Sequence, residues 1–178
     1  MRSISRNFPE KSNNLSWQTN HYRLYVVAYW SRERALSVQR EILLIEDNPG
    51  DVRLMREALR NADSGAMLRV VNDGDEALRY LNQDGEYLDA RRPSLIFMDL
   101  NLPKSDAREL LVHLKSSPTL KVIPVAVLTT SDAEHDIREI YELHANCYLR
   151  KPVDLDSYFE TIRQAVYFWL TVAVVPSE

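Results

Sequence analysis

The chain has 178 residues, 45% of them hydrophobic and 27% charged, which is enough for one well-buried domain and short for two. A net charge of -4 argues against a nucleic-acid footprint over the whole molecule, and the single cysteine, Cys147, excludes an internal disulfide or a multi-cysteine zinc site. The 4 glycines are too scattered to build a phosphate-cradling loop.

Residues 1–40 carry 7 basic and 2 acidic side chains, whereas residues 41–178 carry 15 and 24, so the carboxylates are concentrated in the body of the chain. The first segment is rich in Ser, Asn and Arg, then aromatic and aliphatic over Tyr22–Trp30. We expect it to be a poorly ordered N-terminal extension. Its apolar run, Leu24–Trp30, is too short and too distant from Met1 for an export signal. The longest apolar stretch, Ala165–Val175, falls short of the roughly 20 residues that span a bilayer, so no membrane association is expected. A cytoplasmic setting suits the lone cysteine.

From Glu41 onward, aliphatic runs alternate with amphipathic stretches. The strand candidates are Ile42–Glu46, Met67–Val71, Ser94–Asp99, Val122–Thr129 and Cys147–Arg150. Runs such as Ile42-Leu43-Leu44-Ile45 and Leu95-Ile96-Phe97-Met98 are apolar throughout, as befits strands covered on both faces. Between them, residues spaced near 3.6 predict helices: Val52, Met55 and Leu59; Ala77, Leu78 and Leu81; Leu110, Leu111 and Leu114; Ile137, Ile140 and Tyr141; Tyr158, Ile162, Ala165 and Trp169. Asp51, Asp73, Asp106, Asp132 and Asp154 are expected to cap their first turns. The pattern is (βα)5, a doubly wound α/β parallel sheet with helices as right-handed crossovers over residues 41–170, followed by a tail at 171–178. In such a sheet the active crevice lies beyond the carboxyl ends of the strands.

Glu46 and Asp47 after the first strand, Asp99 at the end of the third, Thr129 at the end of the fourth and Lys151 after the fifth would then meet at one edge. Three carboxylates repel one another unless a proton or a hard divalent cation stands among them, and Mg2+ fits best. Held by Asp47, Asp99 and a carbonyl near Asn101, such an ion would draw in a phosphoryl group facing Thr129 and Lys151. Asp99 would be the nucleophile.

Over about residues 41–170 these residues resemble the receiver domains of two-component response regulators. The acidic pair before Asn48-Pro49-Gly50-Asp51, the segment Met98-Asp99-Leu100-Asn101-Leu102-Pro103, Leu128-Thr129-Thr130-Ser131 and Tyr148-Leu149-Arg150-Lys151-Pro152 carry the resemblance in order and spacing. A narrower likeness, to small single-domain regulators associated with phytochromes, rests on Glu46–Arg53, Ala145–Tyr148 and Phe168–Thr171. The resemblance implies a flavodoxin-like sheet with strand order 2-1-3-4-5. It implies phosphoryl transfer from a histidine kinase, and in the narrower likeness a phytochrome kinase, onto Asp99, with Mg2+ held by Glu46, Asp47, Asp99 and the Asn101 carbonyl. Thr129 and Tyr148 would be the switch pair. Lys151, before a cis-prone Pro152, would pair with Asp99 or its phosphate. Ala107 and His144 stand where the family often has glycine.

Taken singly, Asp99 reads as a turn residue, Thr129 as strand filler, Lys151 as surface charge and Tyr148 as core; their joint register gives them weight. With no output domain recognisable, the chain would signal by phosphorylation-dependent protein binding and not as an enzyme. Two alternatives stay open: a phosphorylation-independent adaptor, and an aspartate-nucleophile phosphohydrolase. The second is disfavoured because Asn101 stands where an acid is needed to protonate the leaving group. The apolar face of the last helix is either core and packed tail or a homodimer surface.

Overall fold

The computed structural model describes residues 40–102 and 106–176. Except for Arg40, the expected N-terminal extension lies outside the described residues, as do Pro103 and the last two residues of the expected tail. Among the described residues, β1 (Glu41–Ile45), β2 (Met67–Val71), β3 (Leu95–Asp99), β4 (Val125–Thr129) and β5 (Cys147–Arg150) form one parallel sheet in the order β2-β1-β3-β4-β5. The connections carry α1 (Pro49–Asn61), α2 (Gly74–Leu81), α3 (Ala107–Ser116) and α4 (Glu134–Glu142), and α5 (Leu155–Tyr167) follows β5, continued by a π-helical turn over Phe168–Val172. No helix among the described residues is long and apolar enough to cross a membrane.

Strand periodicity divides the core. Leu43, Ile45, Ile96, Met98, Val125 and Val127 point to the face covered by α2, α3 and α4, where Ala77, Tyr80, Leu111, Leu114 and Ile140 meet them. Ile42, Leu44, Leu95, Phe97, Ala126 and Leu128 point to the other, against Met55 and Ala58 of α1 and Tyr158, Ile162 and Val166 of α5. Both faces are therefore apolar, which explains the unbroken runs in β1, β3 and β4. The chain turns outward from β1 to β2 and then crosses back to β3 on the other side. The carboxyl ends of β1 and β3 thus flank the point where the strand order reverses, a crevice that no crossover covers.

Local chemistry sets the element boundaries, and several differ from expectation. β4 begins at Val125 and not Val122: Ile123 N–H closes a turn onto Leu120 O at 2.9 Å, and Pro124 has no N–H for the ladder. Asp73, Asp106 and Asp154 cap their helices as expected, accepting from Glu76, Arg108 and Ser157 N–H at 2.8, 2.9 and 2.8 Å. Asp51 does not cap. Asn48 does, accepting from Gly50 N–H at 2.8 Å, and Pro49 takes the first helical position, where its missing N–H would have no partner anyway. Asp132 does not cap either. α4 starts two residues later, and Ser131 Oγ accepts from Ala133 N–H at 3.2 Å. His144 ends the turn after α4 at φ +67°, a left-handed conformation that histidine tolerates better than most residues. No peptide bond among the described residues is cis, so Lys151–Pro152 takes the default trans form.

At the amino-terminal edge of the sheet, Lys115 in the last turn of α3 donates to Ile123 O at 2.9 Å and Asn146 Oδ1 at 2.8 Å. Asn146 Oδ1 also accepts from Val125 N–H at 2.9 Å, so one amide oxygen ties α3 to the starts of β4 and β5. Burial without a carboxylate partner pushes the Lys115 ammonium down to about 8.

Two outcomes follow for stability. Leu111→Ala, at a fully buried position, should lower the unfolding free energy by about 2–5 kcal/mol in denaturant titration. The unfolded chain holds the Lys115 proton up to about pH 10.4 but the folded chain releases it near 8, so stability from this group rises with pH across that window. The stability of wild type relative to Lys115→Gln should therefore rise between those two values; a flat difference would show that Lys115 is not buried as a charge.

Candidate functional site

The parallel ladder decides which side chains meet beyond the sheet. Ile45 of β1 pairs with Met98 of β3, so Glu46 and Asp99 come next in the same register. Thr129 of β4 pairs with Arg150 of β5, and Lys151 follows, its N–H donating to Thr129 O at 2.6 Å. Glu46 and Asp99 continue the strand faces that carry Leu44 and Phe97, on the side of α1 and α5.

Lys151 is the centre of the site. Its Nζ donates to Glu46 Oε2 at 2.8 Å, Asp51 Oδ2 at 2.6 Å and Asp99 Oδ2 at 2.7 Å, using all three of its protons. The second oxygen of each strand-end carboxylate is held by a backbone amide two residues on: Asn48 N–H donates to Glu46 Oε1 at 3.0 Å and Asn101 N–H to Asp99 Oδ1 at 2.9 Å. Both carboxylates are thereby fixed in orientation. Glu46 is 2% exposed and Asp99 7%. Burial pushes the Glu46 carboxyl up to about 7, more than its hydrogen bond and charge pairing with Lys151 pull it down. Burial works against the Lys151 ammonium too, but its bonds to Asp51, Asp99 and Glu46 outweigh that and hold it above the ordinary lysine range.

One ammonium among three carboxylates leaves a surplus of negative charge in a small volume. Glu46, Asp51 and Asp99 each offer an oxygen within 4.8 Å of the others, a hard donor set that fits Mg2+ or Mn2+. Of the expected cation ligands, Glu46 and Asp99 lie in this group. Asp47 and Asn101 are exposed on the loops after β1 and β3. Asp51 was missed as a member of the group because it reads as a cap. The signal was Pro49: a proline at the first helical position assigns the cap to Asn48 and puts Asp51 inside the turn.

Thr129 is fully buried at the end of β4, its hydroxyl accepting from Ser131 N–H at 3.1 Å. Tyr148 is half-buried in β5 and donates its phenol hydrogen to Ser131 O at 3.0 Å. The two expected switch residues therefore share a partner that sequence reasoning gave no structural part. Ser131 Oγ in turn donates to Asp136 Oδ2 at 2.6 Å, and Arg108 of α3 bonds Asp136 at 2.8 Å and Glu139 at 2.6 Å. The Asp136 carboxyl is held below its usual range, chiefly by the Ser131 hydroxyl. The β4–α4 loop is thus tied on one side to β5 and on the other to α3 and α4.

Known proteins resemble this chain in sequence and fold. The family model described as response regulator receiver domain matches residues 42–163. The chain is 46% identical over 136 residues to response regulator Rcp1 of Synechocystis, covering 76% of this chain and 92% of that protein. Among solved structures, it resembles the phosphorylated cyanobacterial phytochrome response regulator RcpA at 49% identity and a TM-score of 0.75, covering 79% of this chain and all of that one. It also resembles the Mn2+-bound form of Rcp1 at 45% identity and a TM-score of 0.73, over 78% of this chain and 99% of that one.

Replacing Lys151 with Met would leave buried carboxylates without their cation, so the variant should lose about 3–5 kcal/mol of stability. Mg2+ should raise the melting temperature of Lys151→Met more than that of wild type. An equal rise in both would mean that the carboxylates do not share one cation site with the ammonium.

Proposed function

The chain belongs to the response regulator receiver domain family, whose function is phosphorylation-based signalling, and on that premise we propose that Asp99 accepts the phosphoryl group from a phosphohistidine of a partner histidine kinase. The observation that carries this reading is the bond from Lys151 Nζ to Asp99 Oδ2 at the carboxyl end of β3. It sets a fixed carboxylate nucleophile beside a fixed positive charge at the carboxyl edge of the sheet. A carboxylate oxygen of Asp99 attacks phosphorus, the phosphorus–nitrogen bond of the donor breaks, and the imidazole leaves with the electron pair.

A divalent cation, when bound, supplies charge neutralisation for the phosphoryl oxygens. Glu46 and Asp99 of the clustered carboxylates would hold it together with Asp47 and the Asn101 carbonyl on the adjoining loops, while Asp51, the third member of that cluster, stays with Lys151. Lys151 keeps its charge near the transferred group and bonds one of its oxygens. The Thr129 hydroxyl exchanges its bond from Ser131 N–H for one to the phosphoryl group, and Tyr148, bonded to the same serine, changes its environment with it. The surface of α4, β5 and α5 then shifts population toward a form that a partner binds.

The relatives described as phytochrome response regulators favour a phytochrome kinase as the donor. Tyr167, Phe168 and Val172 are exposed at the end of α5 and in the turn after it, which favours a homodimer surface there. The amide of Asn101 cannot protonate a leaving group, so turnover of phosphate esters is not expected. The oriented set of Glu46, Asp99 and Lys151 also weighs against a phosphorylation-independent adaptor, which has no need of it.

Incubation with acetyl phosphate and Mg2+ should add the mass of one phosphoryl group in intact-protein mass spectrometry, and Asp99→Asn should abolish the addition. An unlabelled wild type, or label retained by Asp99→Asn, would overturn the reading.

A further inference from the structure

Lys151 has three anionic partners, and they are not equivalent. Glu46 and Asp99 lie on the floor of the crevice, each with its other oxygen tied to a backbone amide. Asp51 comes from the first turn of α1 and makes the shortest contact, 2.6 Å; its side chain is 31% exposed against 2% and 9% for the other two. It therefore faces the mouth, where a phosphoryl donor enters. Asn48 and Pro49 fix the start of α1, and with it the position of Asp51, immediately before the buried Val52.

When a divalent cation and a phosphoryl group claim the oxygens of Glu46 and Asp99, the ammonium loses two of its partners on the floor. Asp51 remains. We propose that Asp51 is a positioning residue for phosphoryl transfer, which holds Lys151 Nζ at the mouth of the crevice so that it meets the incoming phosphoryl oxygens. The proposal rests on the reading of Asp99 as phosphoacceptor. Asp51 touches neither phosphorus nor the attacking oxygen; it acts through the lysine.

This role has a sign opposite to that of a simple charge effect. If Asp51 only added negative charge near the crevice, neutralising it would speed reaction with an anionic donor. If it holds the lysine in place, neutralising it slows the reaction, because a small displacement of a group that meets the transition state has a large effect on rate.

The test measures labelling rates with acetyl phosphate at saturating Mg2+ for wild type, Asp51→Asn and Asp51→Glu, together with Mn2+ affinity by calorimetry in the absence of phosphodonor. In the reaction a carboxylate oxygen of Asp99 bonds to phosphorus and acetate departs with the electron pair of the broken phosphorus–oxygen bond. Asp51→Asn should label about 10-fold to 100-fold more slowly. Asp51→Glu, which restores an anionic partner, should recover most of that loss, and Mn2+ affinity should fall by less than the rate does. Asp51→Asn labelling at or above the wild-type rate would overturn the proposal. So would a loss of Mn2+ affinity as large as the loss of rate, which would make Asp51 a cation ligand, or Asp51→Glu reacting no faster than Asp51→Asn. A wild-type chain that takes no label fails the phosphoacceptor reading itself, and this proposal with it.

Discussion

One ammonium group shared by three carboxylates is the constraint on which the rest of the site depends. Lys151 follows β5, Asp99 ends β3, and Glu46 and Asp51 lie just after β1 and in the first turn of α1, so three stretches far apart in sequence are fastened at a single nitrogen. Burying such a cluster is unfavourable unless each charge is paired and hydrogen-bonded, and the backbone amides of Asn48 and Asn101 complete the pairing. The same arrangement leaves more negative than positive charge. That surplus gives a divalent cation a reason to enter and an anionic phosphoryl group, once charge-balanced, a place to react.

The sheet makes the cluster possible. Parallel strands in register deliver their carboxyl ends to one edge, and the reversal of strand order between β1 and β3 keeps that edge uncovered. Two apolar cores, one on each face, hold the strands rigidly enough that carboxylate oxygens sit within hydrogen-bonding reach of one lysine. Next to this rigid floor, the β4–α4 loop is held by side-chain hydrogen bonds centred on Ser131. Bonds of that kind exchange partners at small net free energy, since each lost contact is replaced by another. A rigid site beside an exchangeable loop is the physical form a phosphorylation switch requires.

Much of this was legible in the sequence, for identifiable reasons. Strands buried on both faces need unbroken aliphatic runs, so β1 and β3 announce themselves, and a parallel sheet puts whatever follows each run at one edge. The sequence alone therefore groups Glu46, Asp99 and Lys151. What escaped were features decided by competition between similar residues. Asp51 looks like a helix cap, but Asn48 next to Pro49 takes that position and frees Asp51 for Lys151. Ser131 reads only as part of the loop motif after β4, yet its hydroxyl finds Asp136 and its carbonyl finds Tyr148 only once α4 and β5 are in place. The apolar Val122 and Ile123 suggest an earlier start for β4, but the missing N–H of Pro124 sets the boundary at Val125.

The most direct test of this account is a crystal structure of the full chain with Mg2+ and beryllium trifluoride, a mimic of the acyl phosphate. The account predicts the fluoride group on a carboxylate oxygen of Asp99, Lys151 Nζ bonded at once to a fluorine and to Asp51, and the Thr129 hydroxyl turned from Ser131 N–H to the fluoride group. Beryllium bound away from Asp99, or Lys151 turned out of the crevice with Asp51 unpaired, would contradict it.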